Sequence, residues 1–269
     1  MALSVSLAPR HSFWLDLEIM CTRSPYFMLV LAGLLIFSLS SWAAAPDYSS
    51  ELVAISGGMF SMGSENGDAD ERPIHTVTVK SFQMARTEVT IGWYLRCMAD
   101  GACSEPSWWK KGYFEESNDT LHTNQRMNLP ITGISWQQAF AFCQWLGPEY
   151  TLPTEAEWEY AAGGASHWIY PWGNDAKLDP VPNRLYEKLT PVATHKALSF
   201  GLYDMEGHVW EWALDCYDAL GPGNTCERRV AKGGSWSEHV WNLRVANKSF
   251  GSSDDGYKGL GFRVVRHVP

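Results

Sequence analysis

Apolar residues recur along the chain with two different periods, and each period predicts an element. Between Leu52 and Gly63 (LVAISGGMFSMG) two short apolar stretches flank a Gly-Gly pair, which predicts two strands around a turn. His75-Thr-Val-Thr-Val-Lys80 alternates with the period of two expected of a half-buried strand. A helical period takes over at Ile91. Ile91, Tyr94, Leu95 and Met98 share one face of a helix over 91–99, which Thr90 can cap and Gly101 can end, with Cys97 beside that face. Ser135 followed by Gln138 is a capping-box pair, and Trp136, Ala139, Phe140 and Cys143 then repeat at i, i+3, i+4 and i+7 until Gly147. Thr154 with Glu157 opens a third helix over 155–162, ended by Gly163-Gly164. Its glutamates read as first-turn charges that complement the helix dipole, not as a catalytic cluster.

After Ala162 the periodicity fades into a region rich in Gly, Pro, Asn, Asp and Trp. A long irregular region held by aromatic side chains and disulfides is where function is expected in such a domain. No internal repeat or low-complexity tract interrupts it.

Upstream, Phe27 to Phe37 (FMLVLAGLLIF) is an apolar run preceded by Arg23 and followed by small residues ending in Ala43-Ala-Ala45. That order predicts a secretory signal over residues 1–45, cleaved after Ala45, with 46–50 as a linker and 51–269 as one domain. Asp16 and Glu18 are foreign to the basic end of such a signal, which points to Met20 as the natural start. An uncleaved anchor is the alternative, because 27–45 is nearly long enough to span a bilayer.

Of the 269 residues, 45% are hydrophobic and 19% charged, enough to bury a real core. The leader holds two basic and two acidic residues, so the net charge of −9 is unchanged by its loss. An acidic chain argues against nucleic acid and anionic lipid as partners. The localisation expected is the periplasm or outside the cell, with no membrane contact after signal cleavage. In an oxidising compartment the close pairs Cys97 with Cys103 and Cys216 with Cys226 are natural disulfides, which leaves Cys143 as a buried thiol.

Eight blocks carry a resemblance: Gly57-Gly-Met-Phe-Ser-Met-Gly63, Glu88-Val-Thr90, Pro130-Ile-Thr-Gly-Ile-Ser-Trp136, Leu152-Pro-Thr-Glu-Ala-Glu-Trp-Glu-Tyr-Ala-Ala162, Tyr170-Pro-Trp-Gly-Asn174, Gly201-Leu-Tyr-Asp-Met-Glu-Gly-His-Val-Trp-Glu-Trp212, Gly233-Gly-Ser-Trp236 and Gly261-Phe-Arg263. In this order they resemble the formylglycine-generating enzyme, or sulfatase-modifying factor, family. The resemblance implies an irregular α+β fold of the C-type-lectin-like kind with little regular secondary structure.

The family's enzymes oxidise a sulfatase cysteine to formylglycine with copper held by two cysteines, as a soft Cu(I) ion requires. Those cysteines stand three and eight residues after the serine of the Gly-Gly-Ser block. Here the residue three after Ser235 is Glu238 and the one eight after it is Leu243, and the segment 235–244 is three residues shorter than in the enzymes, so the second cysteine falls in a deletion and no copper is expected. The resemblance places Ser235, Trp236 and Trp210 along the substrate cleft. It also implies a structural calcium held by Asp204, the carbonyls of Gly207 and Val209, and Glu211, oxygen ligands of the kind Ca²⁺ prefers. His208 stands where the family has asparagine. No His-x-x-x-His or His-Glu-x-x-His spacing occurs, so His208 and His239 read as surface or structural histidines.

The leading functional expectation is an exported accessory factor, for example of a secretion system, that binds a protein or peptide partner for its maturation or regulation. The alternative is an oxidoreductase-type maturation enzyme on the same scaffold, like the pyoverdine-maturation relatives, with Glu238 as general acid or base. A lectin-like module with a variable binding surface and formylglycine generation itself rank below both.

Overall fold

The computed structural model describes residues 45–106, 123–164, 166, 168–178, 189–205, 207–218 and 225–268. The signal segment and the start at Met20 lie outside the described residues. Among the described residues no helix is long and apolar enough to cross a membrane.

The strands β1 (Leu52–Ile55) and β2 (Gly58–Met62) form, but they do not pair with each other across the glycines. Instead β1 pairs with β4 (Phe82–Ala85) and β2 with β3 (His75–Val79). One register runs through both pairs, from Leu52 opposite Ala85 to Met62 opposite His75, so the four strands are a single long ribbon. The expected Gly-Gly turn is a kink in that ribbon, held where the Gly57 N–H donates to Ser81 Oγ at 2.9 Å. A strand break and a turn share a residue signature, and only the pairing partner separates them.

The three helices start at the predicted caps. Helix α1 spans Ile91–Ala99, with the Thr90 side chain accepting from Trp93 N–H. A short helix α2 covers Thr123–Met127. Helices α3 (Trp136–Leu146) and α4 (Glu155–Gly163) each open on a complete capping box, Ser135 with Gln138 and Thr154 with Glu157. On α3 the buried face is shifted from the predicted one: Phe142 is enclosed, while Phe140 is half-buried and stacks on Trp136. The wide apolar stripe of a globular helix has two flanks, and periodicity does not say which one meets the core. On α1, Cys97 is inside the buried face instead of beside it, bonded to Cys103; Cys216 is bonded to Cys226, and Cys143 is a buried free thiol.

Strand β10 (Val265–Arg266) lies between β4 and β5 (Tyr150–Thr151), completing a sheet in the order β1-β4-β10-β5. A second sheet has the order β8-β7-β6-β9, formed by Lys248–Ser252, Arg228–Lys232, Trp210–Cys216 and Leu260–Gly261. Here β6 runs parallel to the short β9. One apolar cluster joins α1 and α3 to Trp212 and Phe262, and a second joins Met84 and Val265 to Trp158 of α4. The indoles are satisfied as well as buried: Trp136 Nε1 donates to Ala213 O and Trp212 Nε1 to Ile134 O, which ties α3 to β6.

The glutamates of α4 do more than complement its dipole. Glu159 is buried, accepts from the Gly63 N–H at 2.7 Å and pairs with the buried Lys232 at 3.2 Å. Position 159 is past the first turn, so the dipole argument does not reach it.

Candidate functional site

Strand β7 ends at Lys232, and the chain then turns through Gly233 (φ +96°) and Gly234 (φ +80°). A Cβ on Gly233 would meet the Trp158 ring at 3.0 Å, and one on Gly234 would sit 2.6 Å from Leu243. Both positions therefore combine left-handed backbone with close packing, which only glycine allows at no cost. The turn delivers Ser235 and Trp236 onto the segment before β6: the Trp236 N–H donates to His208 O at 3.0 Å, and the Trp210 N–H donates to Gly259 O at 2.8 Å. Ser235, Trp236 and Trp210, separated by up to 26 positions in sequence, are thus brought to one place by the β6–β7 pairing and its flanks.

Glu238 belongs to the same place. Its Oε1 accepts from Trp210 Nε1 at 3.4 Å and its Oε2 from Asn242 Nδ2 at 2.7 Å. Ser235 Oγ meets Ser237 Oγ at 3.2 Å, an arrangement without a base for a serine nucleophile. Leu243 is 1% exposed, at the end of the 3-10 turn Val240–Leu243. Glu238 is therefore a hydrogen-bonded carboxylate, and Leu243 a core residue.

A cavity of about 260 Å³ opens beyond that 3-10 turn, lined among others by Phe60, Ser64, Glu159, Trp168 and Arg244. None of the cleft residues expected from sequence lines it. Arg244 is committed there to a bidentate pair with the buried Glu71, at 2.6 and 2.7 Å.

The loop Asp204–Val209 shows a donor set different from the one expected for calcium. Both oxygens of Glu211 are taken: Oε1 accepts from Arg263 Nη2 at 2.6 Å, and Oε2 from Arg263 Nε and Trp158 Nε1, each at 2.7 Å. A calcium ion on Glu211 would have to sit beside a guanidinium aimed at the same carboxylate. Asp204 instead gathers with Glu88 and His208, whose ligand atoms all lie within 4.8 Å of one another.

In this cluster His208 Nδ1 meets Glu88 Oε1 at 3.0 Å, and its Nε2 meets Thr190 O at 3.0 Å. The Ala193 N–H donates to Asp204 Oδ2 at 2.7 Å. Glu88 is 0% exposed, and its second oxygen, Oε2, has no hydrogen-bond partner. Burial pushes the Glu88 carboxyl up to about 7 against the pull of His208. Burial alone would lower His208, but the charge and hydrogen bond of Glu88, with Asp204, outweigh it and raise the imidazole to about 9. Reading His208 by its sequence neighbours missed this cluster, because Glu88 is 120 residues away. The one available signal was the Glu88-Val-Thr90 block itself.

Comparisons agree with this architecture. A family model described as the sulfatase-modifying factor enzyme 1-like domain matches residues 41–268. Serine/threonine-protein kinase pkn1 of Chlamydia caviae is 28% identical over 238 residues, 81% of this chain and 38% of the kinase, so the chain spans well under half the length of that relative. Inactive C-alpha-formylglycine-generating enzyme 2 of Bos taurus is 29% identical over 270 residues, covering 80% of this chain and 87% of the relative. Among solved structures, Treponema denticola variable protein 1 has the same fold, with a TM-score of 0.66 at 22% identity over 80% of this chain and 94% of the other. With the family match running from the first strand through the last, this chain belongs to the sulfatase-modifying factor family of formylglycine-generating enzyme-like proteins.

Proposed function

We propose that this protein is an exported accessory factor that binds a protein or peptide partner at the cleft framed by Ser235, Trp236 and Trp210, and that it does not generate formylglycine. The observation that carries this reading is the chemistry of two positions. Copper-dependent oxidation needs a thiolate pair; Glu238 stands where the first would be, and the shortened segment 235–244 holds no cysteine. Cys143 offers no substitute, since its thiol is buried in the core, and the other described cysteines are in disulfides. The relative named as an inactive formylglycine-generating enzyme supports a use of this scaffold without oxidation. Aromatic rings that are part exposed, as Trp210 and Trp236 are, suit a peptide-binding surface, where a large rigid side chain supplies area at low entropic cost.

A photo-crosslinking amino acid at position 236 tests the reading in cells, with the same probe at the exposed Lys80 as control. The expected result is one partner captured from position 236, absent from position 80 and lost when Trp210 is replaced by alanine. Equal capture from both positions would overturn the binding site. Copper-dependent conversion of a sulfatase-motif cysteine by the purified chain would overturn the non-oxidative reading.

A further inference from the structure

The Glu88, Asp204 and His208 cluster has the parts of a metal centre that calcium would not select. Two carboxylates and an imidazole are a hard–borderline donor set, and imidazole is a ligand of zinc-class ions, not of Ca²⁺. The Nε2 of His208 is held at 3.0 Å by the Thr190 carbonyl, so the ring is oriented by an outer hydrogen bond and its Nδ1 faces the carboxylates. That carbonyl–imidazole pairing is the usual support of a metal-bound histidine. Glu88 Oε2, fully buried and without a hydrogen-bond partner, is a second and independent pointer. A buried carboxylate oxygen left unsatisfied costs free energy unless a cation or donor completes it.

The site is reachable, since the His208 side chain is 10% exposed. It also adjoins the cleft, because His208 O accepts the Trp236 N–H.

We infer that Glu88, Asp204 and His208 bind one zinc-class divalent transition-metal ion, and that this ion braces the floor of the Trp236 cleft. Around an ion about 2 Å from each ligand atom the tetrahedral separations are about 3.3 Å, so atoms that now lie within 4.8 Å of one another close by up to about 1.5 Å, through side-chain adjustment.

The test uses the full chain, stripped with a chelator and titrated separately with Zn²⁺, Co²⁺ and Ca²⁺. Expected are one retained zinc per chain by elemental analysis, a melting temperature raised by zinc but not by calcium, and a visible absorption band with cobalt. His208→Asn installs the residue the family resemblance expects here, so it should fold. It should weaken zinc binding by more than about 100-fold, the upper end of what outer-shell changes cost. His239→Asn, on an exposed residue, should leave binding unchanged. Failure to retain zinc, unchanged zinc affinity in His208→Asn, or stabilisation by calcium in place of zinc would each overturn the assignment.

Discussion

Arg263 and Glu211 form a bidentate ion pair in the interior, with Nε and Nη2 donating to the two carboxylate oxygens at 2.7 and 2.6 Å. Arg263 also donates to Ala85 O and Tyr203 O, each at 3.1 Å, so a single guanidinium joins β6 to β4 and to the Asp204 loop. Removing one partner of a buried pair leaves an uncompensated charge, which costs about 3–5 kcal/mol. Arg263→Met is expected to lose stability in that range, measured by denaturant unfolding. A loss under 1 kcal/mol would mean that the pair is not needed to hold these elements together.

Gly234 and Gly101 separate two costs of adding a methyl group. Both have positive φ, but a Cβ on Gly101 meets nothing within 4 Å, whereas one on Gly234 sits 2.6 Å from Leu243 Cδ2 and 3.1 Å from Asn242 O. Gly101→Ala should lose only the left-handed backbone cost, about 1–2 kcal/mol. Gly234→Ala should lose a further 1–3 kcal/mol or so from overpacking. Equal losses in thermal melting would show that Leu243 yields freely.

The three described cysteine environments predict distinct reactivities. Burial pushes the Cys143 thiol far above its usual range, so it should resist a maleimide reagent in the native protein and react on unfolding. Replacing Cys216 and Cys226 together by serine should cost about 2–4 kcal/mol without exposing Cys143. Rapid native labelling of Cys143 would contradict its burial.

Asp215 gives a pH signature. Burial is the largest influence on it and raises its carboxyl, with Glu155 and Glu157 adding to the rise and the Glu155 N–H opposing it. A carboxyl whose folded value is raised binds more protons in the native state, so its contribution weakens as pH climbs from the unfolded value through the folded one. Asp215→Asn keeps an acceptor for the Glu155 N–H, 2.6 Å away in the wild type, and removes the charge. Relative to wild type it should be more stable at pH 7 than at pH 3, measured by unfolding at both. A pH-independent difference would contradict the shift.

At the cleft, Trp210→Phe removes the indole donor to Glu238 and leaves Asn242 as the carboxylate's partner. A long 3.4 Å bond at a part-exposed site supports little, so stability should change by less than about 1 kcal/mol. Glu238→Gln should likewise leave partner maturation intact in cells. Loss of function in Glu238→Gln with an unchanged fold would favour the enzymatic alternative over simple binding.

The sequence by itself determined the local structure and the family. The caps at Thr90, Ser135 and Thr154, the helix lengths and the β3 strand all depend on residues within one or two turns of each other. Both disulfides were legible because their partners are 6 and 10 residues apart. The family and the place of the Gly233-Gly234 pair in it could be read from motif order.

Only the tertiary structure decided who partners whom at a distance. It turned the Gly57-Gly58 turn into a kink, because strand pairing is a relation between segments and not a property of either. It paired Glu211 with Arg263, 52 residues on. It joined Glu88 to His208 across 120 residues. Buried charges are set by what surrounds them in three dimensions, since in a low-dielectric interior every carboxylate must find a cation or a donor. That requirement leaves no periodic trace along the chain, and so the charged centre of this protein appears only once it is folded.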